Sequence, residues 1–216
     1  MAVPQCRRWV SVSGMRWLQG ARMQIKTEIK DTCLSGGDIR RMIAAMVQQL
    51  VPGEEFAGSL VLVGLNARGS AVAKRLARDV ALLCGVQPPV GRLEIAFKGA
   101  QGALGANDAR ADDDRCANDL EVRSVDVPFC IDGATVVVVD DVAFTGATAR
   151  KALDVLCGIG APASLQLAVL VDRQFPAPAA CPDVVGVRLD VSADERLLVF
   201  LEEIDGFSEV LVRRGK

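Results

Sequence analysis

The chain has 216 residues, half of them hydrophobic, and a formal net charge of -2, so nothing in its charge supports a general nucleic-acid partner and any RNA site would have to be a local basic patch. That length suits one domain with a full core, and no apolar run approaches the ~18 residues that a membrane span requires. Histidine and tyrosine are both absent, which excludes histidine general-base chemistry, argues against a structural zinc site, and leaves carboxylates, lysine and backbone groups for any catalysis.

Residues 1–30 carry Arg7, Arg8, Arg16 and Arg22 with Trp9 and Trp17, a faintly amphipathic composition. No compact apolar stretch with a small-residue cleavage site follows, so a signal peptide is rejected. The segment reads as a disordered extension, or as sequence upstream of a true start at Met23, and 31–216 reads as one domain. Asp38 is expected to cap a helix in which Ile39, Ile43, Met46, Val47 and Leu50 recur at helical spacing, ended by Pro52-Gly53. Ser59–Leu65 reads as a buried strand, followed by the tight Asn66-Ala67-Arg68-Gly69 turn and a helix to about Cys84. Gly91–Lys98 alternates as a strand.

From Gly99 to Asp119 the pattern dissolves into Gly, Ala, Asn and Asp, with the acidic run Asp112–Asp114. A structureless loop of that length inside a compact domain is functional or disordered. A strand over 135–139 and a helix over about 146–158 follow, then a buried strand at Ser164–Val171 ending at Asp172-Arg173. Short strands are expected near Val184–Leu189, Arg196–Leu201 and Glu209–Val212. Strand–helix alternation of this kind implies an α/β fold, with a parallel sheet and ligands at the carboxyl ends of its strands.

The most informative stretch is Val136-Val137-Val138-Val139-Asp140-Asp141-Val142-Ala143-Phe144-Thr145-Gly146-Ala147-Thr148. Four β-branched residues predict a strand buried on both faces. Two carboxylates follow, and then a loop of small and hydroxyl residues enters a helix. Such a loop wraps backbone N–H groups around a phosphate, and the helix N-terminus adds donors and partial positive charge. The carboxylates suit the hydroxyls of a ribose. Two adjacent carboxylates at a buried strand end are costly without a ligand, which favours a ribose 5-phosphate site over a merely capped helix. Leu62–Ser70 repeats the strand–loop–helix logic, and Arg68 stands where charge and backbone donors meet a pyrophosphate.

The 136–148 stretch resembles the phosphoribosyl-pyrophosphate (PRPP) signature of type I phosphoribosyltransferases. Pro89–Ile95, Leu167–Arg173 and Val199–Glu203 extend the likeness to the family of the bacterial pyrimidine operon attenuation regulator, which is also a uracil phosphoribosyltransferase. The resemblance implies a mostly parallel central sheet flanked by helices, a small hood and a flexible loop. It implies that Asp140 and Asp141 hold the ribose hydroxyls. The backbone of Val142, Ala143, Phe144, Thr145, Gly146, Ala147 and Thr148, with both threonine hydroxyls, would hold the 5-phosphate. Ala67, Arg68 and Gly69 would face pyrophosphate, with a cis peptide near Ala67–Arg68. Backbone groups at Asp172-Arg173 would read the base, and magnesium would arrive with PRPP rather than through dedicated protein ligands. The implied partners are PRPP, uracil and UMP, with a homo-oligomeric assembly and leader RNA of the pyrimidine operon.

Several family positions differ in this chain. The strand beginning at Gly91 runs in the family into Tyr-Arg-Asp-Asp; here Phe97-Lys98-Gly99-Ala100 stand instead. Lys98 supplies charge without arginine's bidentate fork, and Arg115 is the other candidate cation of the loop. Ala147 replaces an arginine. Ala44, Ala45 and Gln48 replace residues that face RNA, and Ala193-Asp194 replaces a lysine-serine pair. Each missing cation weakens RNA affinity, so RNA-dependent regulation is the weaker expectation. The alternatives to a uracil phosphoribosyltransferase are an RNA-binding attenuator and a UMP- or PRPP-sensing homologue with little turnover. Seven scattered cysteines without C-x-x-C spacing read as reduced cytoplasmic thiols.

Overall fold

A computed structural model describes residues 33–51, 59–98, 119–192 and 195–214. The expectations for residues 1–30, for Arg115 and Asp112–Asp114, and for Ala193-Asp194 lie outside them. In chain order the elements are β1 (Leu34–Ser35), α1 (Gly36–Leu50), β2 (Leu60–Leu65), α2 (Asn66–Cys84), β3 (Val90–Phe97), β4 (Leu120–Asp126), β5 (Thr135–Ala143), α3 (Ala147–Ile159), β6 (Ser164–Asp172), β7 (Val184–Arg188), β8 (Glu195–Phe200), α4 (Glu202–Asp205) and β9 (Glu209–Arg214). No described helix is long and apolar enough to cross a membrane.

Six strands form the main sheet in the order β4-β3-β2-β5-β6-β7, parallel except for the antiparallel β3–β4 pair. A separate antiparallel sheet, β1-β9-β8, makes the hood. This is the α/β architecture expected. Successive strand residues point to opposite faces, and the four valines of β5 divide accordingly. Val137 and Val139 join the core built with α1, α2 and the hood. Val136 and Val138 join the one built with α3 and β3. All four are fully buried, which is why the run shows no polar alternation.

Four expectations are corrected. First, Ser35 caps α1, and Asp38 is the third helical residue that answers it. The Ser35 hydroxyl accepts from the Asp38 N–H at 3.3 Å, and an Asp38 carboxylate oxygen accepts from the Ser35 N–H at 2.9 Å, a reciprocal capping box. The hydroxyl and Arg41 hold the Asp38 carboxyl below its ordinary range.

Second, β5 does not end at Val139 but runs to Ala143, because β6 continues to pair with it as far as Asp172. The carboxylates therefore lie inside the strand. Third, Leu120–Asp126, for which no element was expected, forms β4 and pairs along β3. Fourth, Asn66–Gly69 is not a separate turn but the first turn of α2, which begins directly after β2, and every described peptide bond is trans; the unusual backbone falls on Asn66, at φ 52°.

Candidate active site

Asp140 and Asp141 occupy the carboxyl end of β5, beside the N-termini of α2 and α3. By strand alternation Asp141 shares the face of Val137 and Val139, and Asp140 the opposite one. The Asp141 N–H nevertheless donates to Asp140 Oδ1 at 2.9 Å. Burial pushes the Asp140 carboxyl well above its ordinary range, and the neighbouring Asp141 charge adds to the shift. Burial also raises Asp141, against the opposing pull of the Asp140 hydrogen bond and the Arg68 charge. Two desolvated carboxylates so close together resist carrying two full charges.

The turn after β2 reaches this pair by close backbone contact. A Cβ on Gly69 would lie 3.2 Å from the Asp140 Cα and closer still to the Val139 carbonyl oxygen. Gly64 is equally constrained by the backbone of Ser70. Glycine at both positions lets the Ala67-Arg68-Gly69 turn pack directly on the end of β5. Asn66 holds the turn from the other side: its Oδ1 accepts the Ile95 N–H at 3.0 Å. No side chain caps the N-terminus of α2, whose first turn is Asn66–Gly69.

The loop from Ala143 to Thr148 is held on three sides. Arg173 N–H donates to the Ala143 carbonyl at 3.0 Å, and Ala179 N–H to the Thr145 carbonyl at 2.7 Å. Gly146 takes φ 72° as the N-cap of α3, again without a side-chain cap. Thr145 is buried. Phe144 meets Phe175 edge-on at 4.8 Å between centroids, and the Arg173 guanidinium lies 4.1 Å above the Phe144 ring.

Of the residues expected at the base, Asp172 has a committed carboxylate. Oδ1 accepts the Gln174 N–H at 2.8 Å, and Oδ2 faces Arg188 Nε at 3.3 Å. Arg173 is buried, and its Nη2 donates to the carbonyls of Glu195 at 3.0 Å and Ser192 at 3.3 Å. Its side chain thus links the Phe144 ring to the hood. Lys98 is exposed directly after β3, with its N–H on the Asp119 carbonyl at 2.7 Å. Arg68 points toward the hood: its Nε donates to the Val199 carbonyl at 2.7 Å and its Nη2 to Asp205 at 3.0 Å.

Sequence reasoning gave Asn66 no role beyond a turn and missed Phe175, Ala179, Val199 and Asp205. Asparagine before a helix is a signal for a left-handed turn residue. The other four carry no local signal, because their roles depend on long-range contacts.

Fold and site together define a type I phosphoribosyltransferase. The phosphoribosyl transferase domain family matches residues 26–178. A bifunctional protein PyrR from Chloroflexus aurantiacus is 38% identical over 84% of this chain and 94% of its own length. A bifunctional protein PyrR 1 from Lactiplantibacillus plantarum is 36% identical over 82% and 93%. Among solved structures, a hypoxanthine phosphoribosyltransferase from Staphylococcus aureus has the same fold, with a TM-score of 0.60, 16% identity, and coverage of 87% of this chain and 92% of that one. The chain belongs to the phosphoribosyltransferase family and, within it, to the PyrR group.

Proposed function

We propose that this protein transfers the phosphoribosyl group of PRPP to uracil, giving UMP and pyrophosphate. The observation that carries this reading is the packing of Gly69 on the Val139–Asp140 backbone. That contact supports the reading because it sets Ala67-Arg68-Gly69 against the strand that carries both carboxylates, although the two segments lie some seventy residues apart in the chain.

In the reaction the C1–oxygen bond to pyrophosphate breaks and a bond from C1 to the uracil ring nitrogen forms. The proton of that nitrogen leaves with solvent or pyrophosphate. Asp140 and Asp141 hold the ribose hydroxyls and offer negative charge to the oxocarbenium-like centre. Ala143–Thr148 binds the 5-phosphate through backbone donors, with the hydroxyls of Thr145 and Thr148. Arg68 and the α2 N-terminus receive the pyrophosphate, and the backbone at Asp172-Arg173 borders the base. Positioning and charge stabilisation supply the rate enhancement, so no histidine is needed. The described residues hold no cluster of three metal-ligating side chains, whereas Asp140 and Asp141 offer hard oxygen donors. That donor set fits magnesium entering with its pyrophosphate oxygens. When bound, the ion offsets charge on the leaving group.

A homo-oligomeric cytoplasmic protein, with 31–216 as its folded domain, completes the proposal. The RNA role rests on α1, whose exposed face carries Arg40, Ala44, Ala45 and Gln48, with Arg41 paired to Asp38. That face offers few free cations, so enzymatic transfer is the main activity and RNA attenuation the weaker one. A screen of uracil, hypoxanthine, guanine, xanthine and orotate with PRPP and magnesium tests the reading. UMP formation from uracil is expected. Preferred turnover of another base overturns the uracil assignment, and no PRPP binding by calorimetry overturns the whole reading.

A further inference from the structure

We propose that Asp205 is a positioning residue that holds the Arg68 guanidinium ready for the pyrophosphate of PRPP, an inference that rests on the transferase reading above. Arg68 and Arg75 stand seven residues, about two turns, apart on one face of α2. The short α4 takes both. Arg75 Nε and Nη2 donate to the two Glu203 oxygens at 2.7 and 2.6 Å, and Nη2 also reaches Ser208 Oγ at 3.1 Å. Arg68 Nη2 donates to Asp205 Oδ1 at 3.0 Å, and its Nε to the Val199 carbonyl at 2.7 Å.

The two clasps join the same hood element to the same helix, but in different surroundings. The Glu203 side chain is 46% exposed, whereas Asp205 and Arg68 are 17% and 16% exposed. Asp205 is itself fixed, since its Oδ2 accepts the Leu201 N–H at 2.9 Å and its own N–H donates to the Leu201 carbonyl at 2.7 Å. Only the Arg68 clasp reaches the site, because Arg68 directly precedes Gly69, which packs on the Val139–Asp140 backbone.

A long cationic side chain free to rotate loses entropy each time it grips an anion. Two fixed acceptors remove that freedom in advance. They engage Nε and Nη2, and Nη1 has no hydrogen-bond partner among the described residues. That nitrogen is the one left for a phosphate oxygen. Asp205 therefore acts on the substrate through Arg68, whereas Glu203 only fastens the hood.

The test compares wild type, D205N and E203Q in kcat, KM for PRPP and thermal unfolding. D205N keeps one carbonyl oxygen for the Leu201 N–H and loses the charge that holds Arg68. Its KM for PRPP is expected to rise roughly tenfold, with kcat little changed. E203Q is expected to lower thermal stability and leave KM as it is.

Three results overturn the proposal: an unchanged KM in D205N, a lower KM showing that Asp205 competes with pyrophosphate, or an equal rise in E203Q. A measurement on wild type stands beside these in case D205N does not fold. The Arg68 Nε–H resonance in 15N NMR is expected to stay protected from solvent exchange when PRPP is added, and its loss overturns the proposal. A wild type that binds no PRPP fails the transferase reading itself, a separate outcome.

Discussion

A Cβ atom on Gly146 would stand 2.7 Å from both the backbone nitrogen and the carbonyl oxygen of Ala180. The β6–β7 connection therefore presses on the Ala143–Thr148 loop where that loop turns into α3, and Ala179 N–H seals the contact on the Thr145 carbonyl. Gly146 also needs φ 72°. Alanine there meets steric and conformational costs together. G146A is expected to lose about 3 kcal/mol of stability in urea unfolding and to bind PRPP at least tenfold more weakly by calorimetry. A variant with wild-type affinity would show that this contact does not shape the phosphate loop.

The double variant D140N/D141N is expected to fold and to form no UMP from PRPP and uracil. Its stability should depend on pH in a defined direction. Both carboxyls are raised above their ordinary value of 3.8 by burial. A raised folded-state value gives stability that is present in full below the unfolded value and lost as pH rises through the folded one. Wild type is therefore expected to lose stability relative to the double variant as pH climbs above about 4. Asp183, also raised by burial, is common to both proteins and cancels in the comparison. A Tm difference that is flat across pH would remove the carboxylate pair from the site.

Arg173 joins three parts of the molecule: the Phe144 ring, the hood carbonyls of Ser192 and Glu195, and the end of β6. Lysine keeps the charge but cannot lie flat on the ring while donating to two carbonyls. R173K is expected to cost about 2 kcal/mol in denaturant unfolding and to raise KM for PRPP, because Phe144 lies in the loop proposed to bind the 5-phosphate. An R173K protein as stable as wild type would show that the brace is dispensable.

Asn66 carries two separable contributions, a left-handed backbone and the side-chain bond to the Ile95 N–H. N66A removes the bond and strains the backbone, whereas N66G removes only the bond. Stability is expected to fall by about 2 kcal/mol in N66A and by about 1 kcal/mol in N66G. Equal decreases in chemical denaturation would show that the left-handed conformation costs nothing at this turn.

The strands that fill the sheet centre were legible because burial on both faces leaves an unbroken apolar run, as in Val136–Val139 and Leu167–Val171. β4 was not, since Leu120–Asp126 is an edge strand whose Glu121, Arg123, Ser124 and Asp126 face water or its rim and break the alternation. The two-residue β1 and four-residue α4 are too short to carry any period. β5 outran its expected end because Asp140 and Asp141 read as a strand stop, while pairing with β6 carried the strand past them.

By itself the sequence determined the α/β class, the buried strand through Val136–Val139, and the loop of small residues that leads from its end into a helix. Those features are written in contiguous residues, through local propensity and hydrophobic period. Only the tertiary structure decided that Gly69 touches the strand of Asp140, that Arg173 braces a loop through Phe144, and that Arg68 is held by Asp205. The last pair is separated by 137 residues. Such contacts follow from how the hood folds back over the sheet, and no local pattern encodes which distant acceptor a buried guanidinium will find.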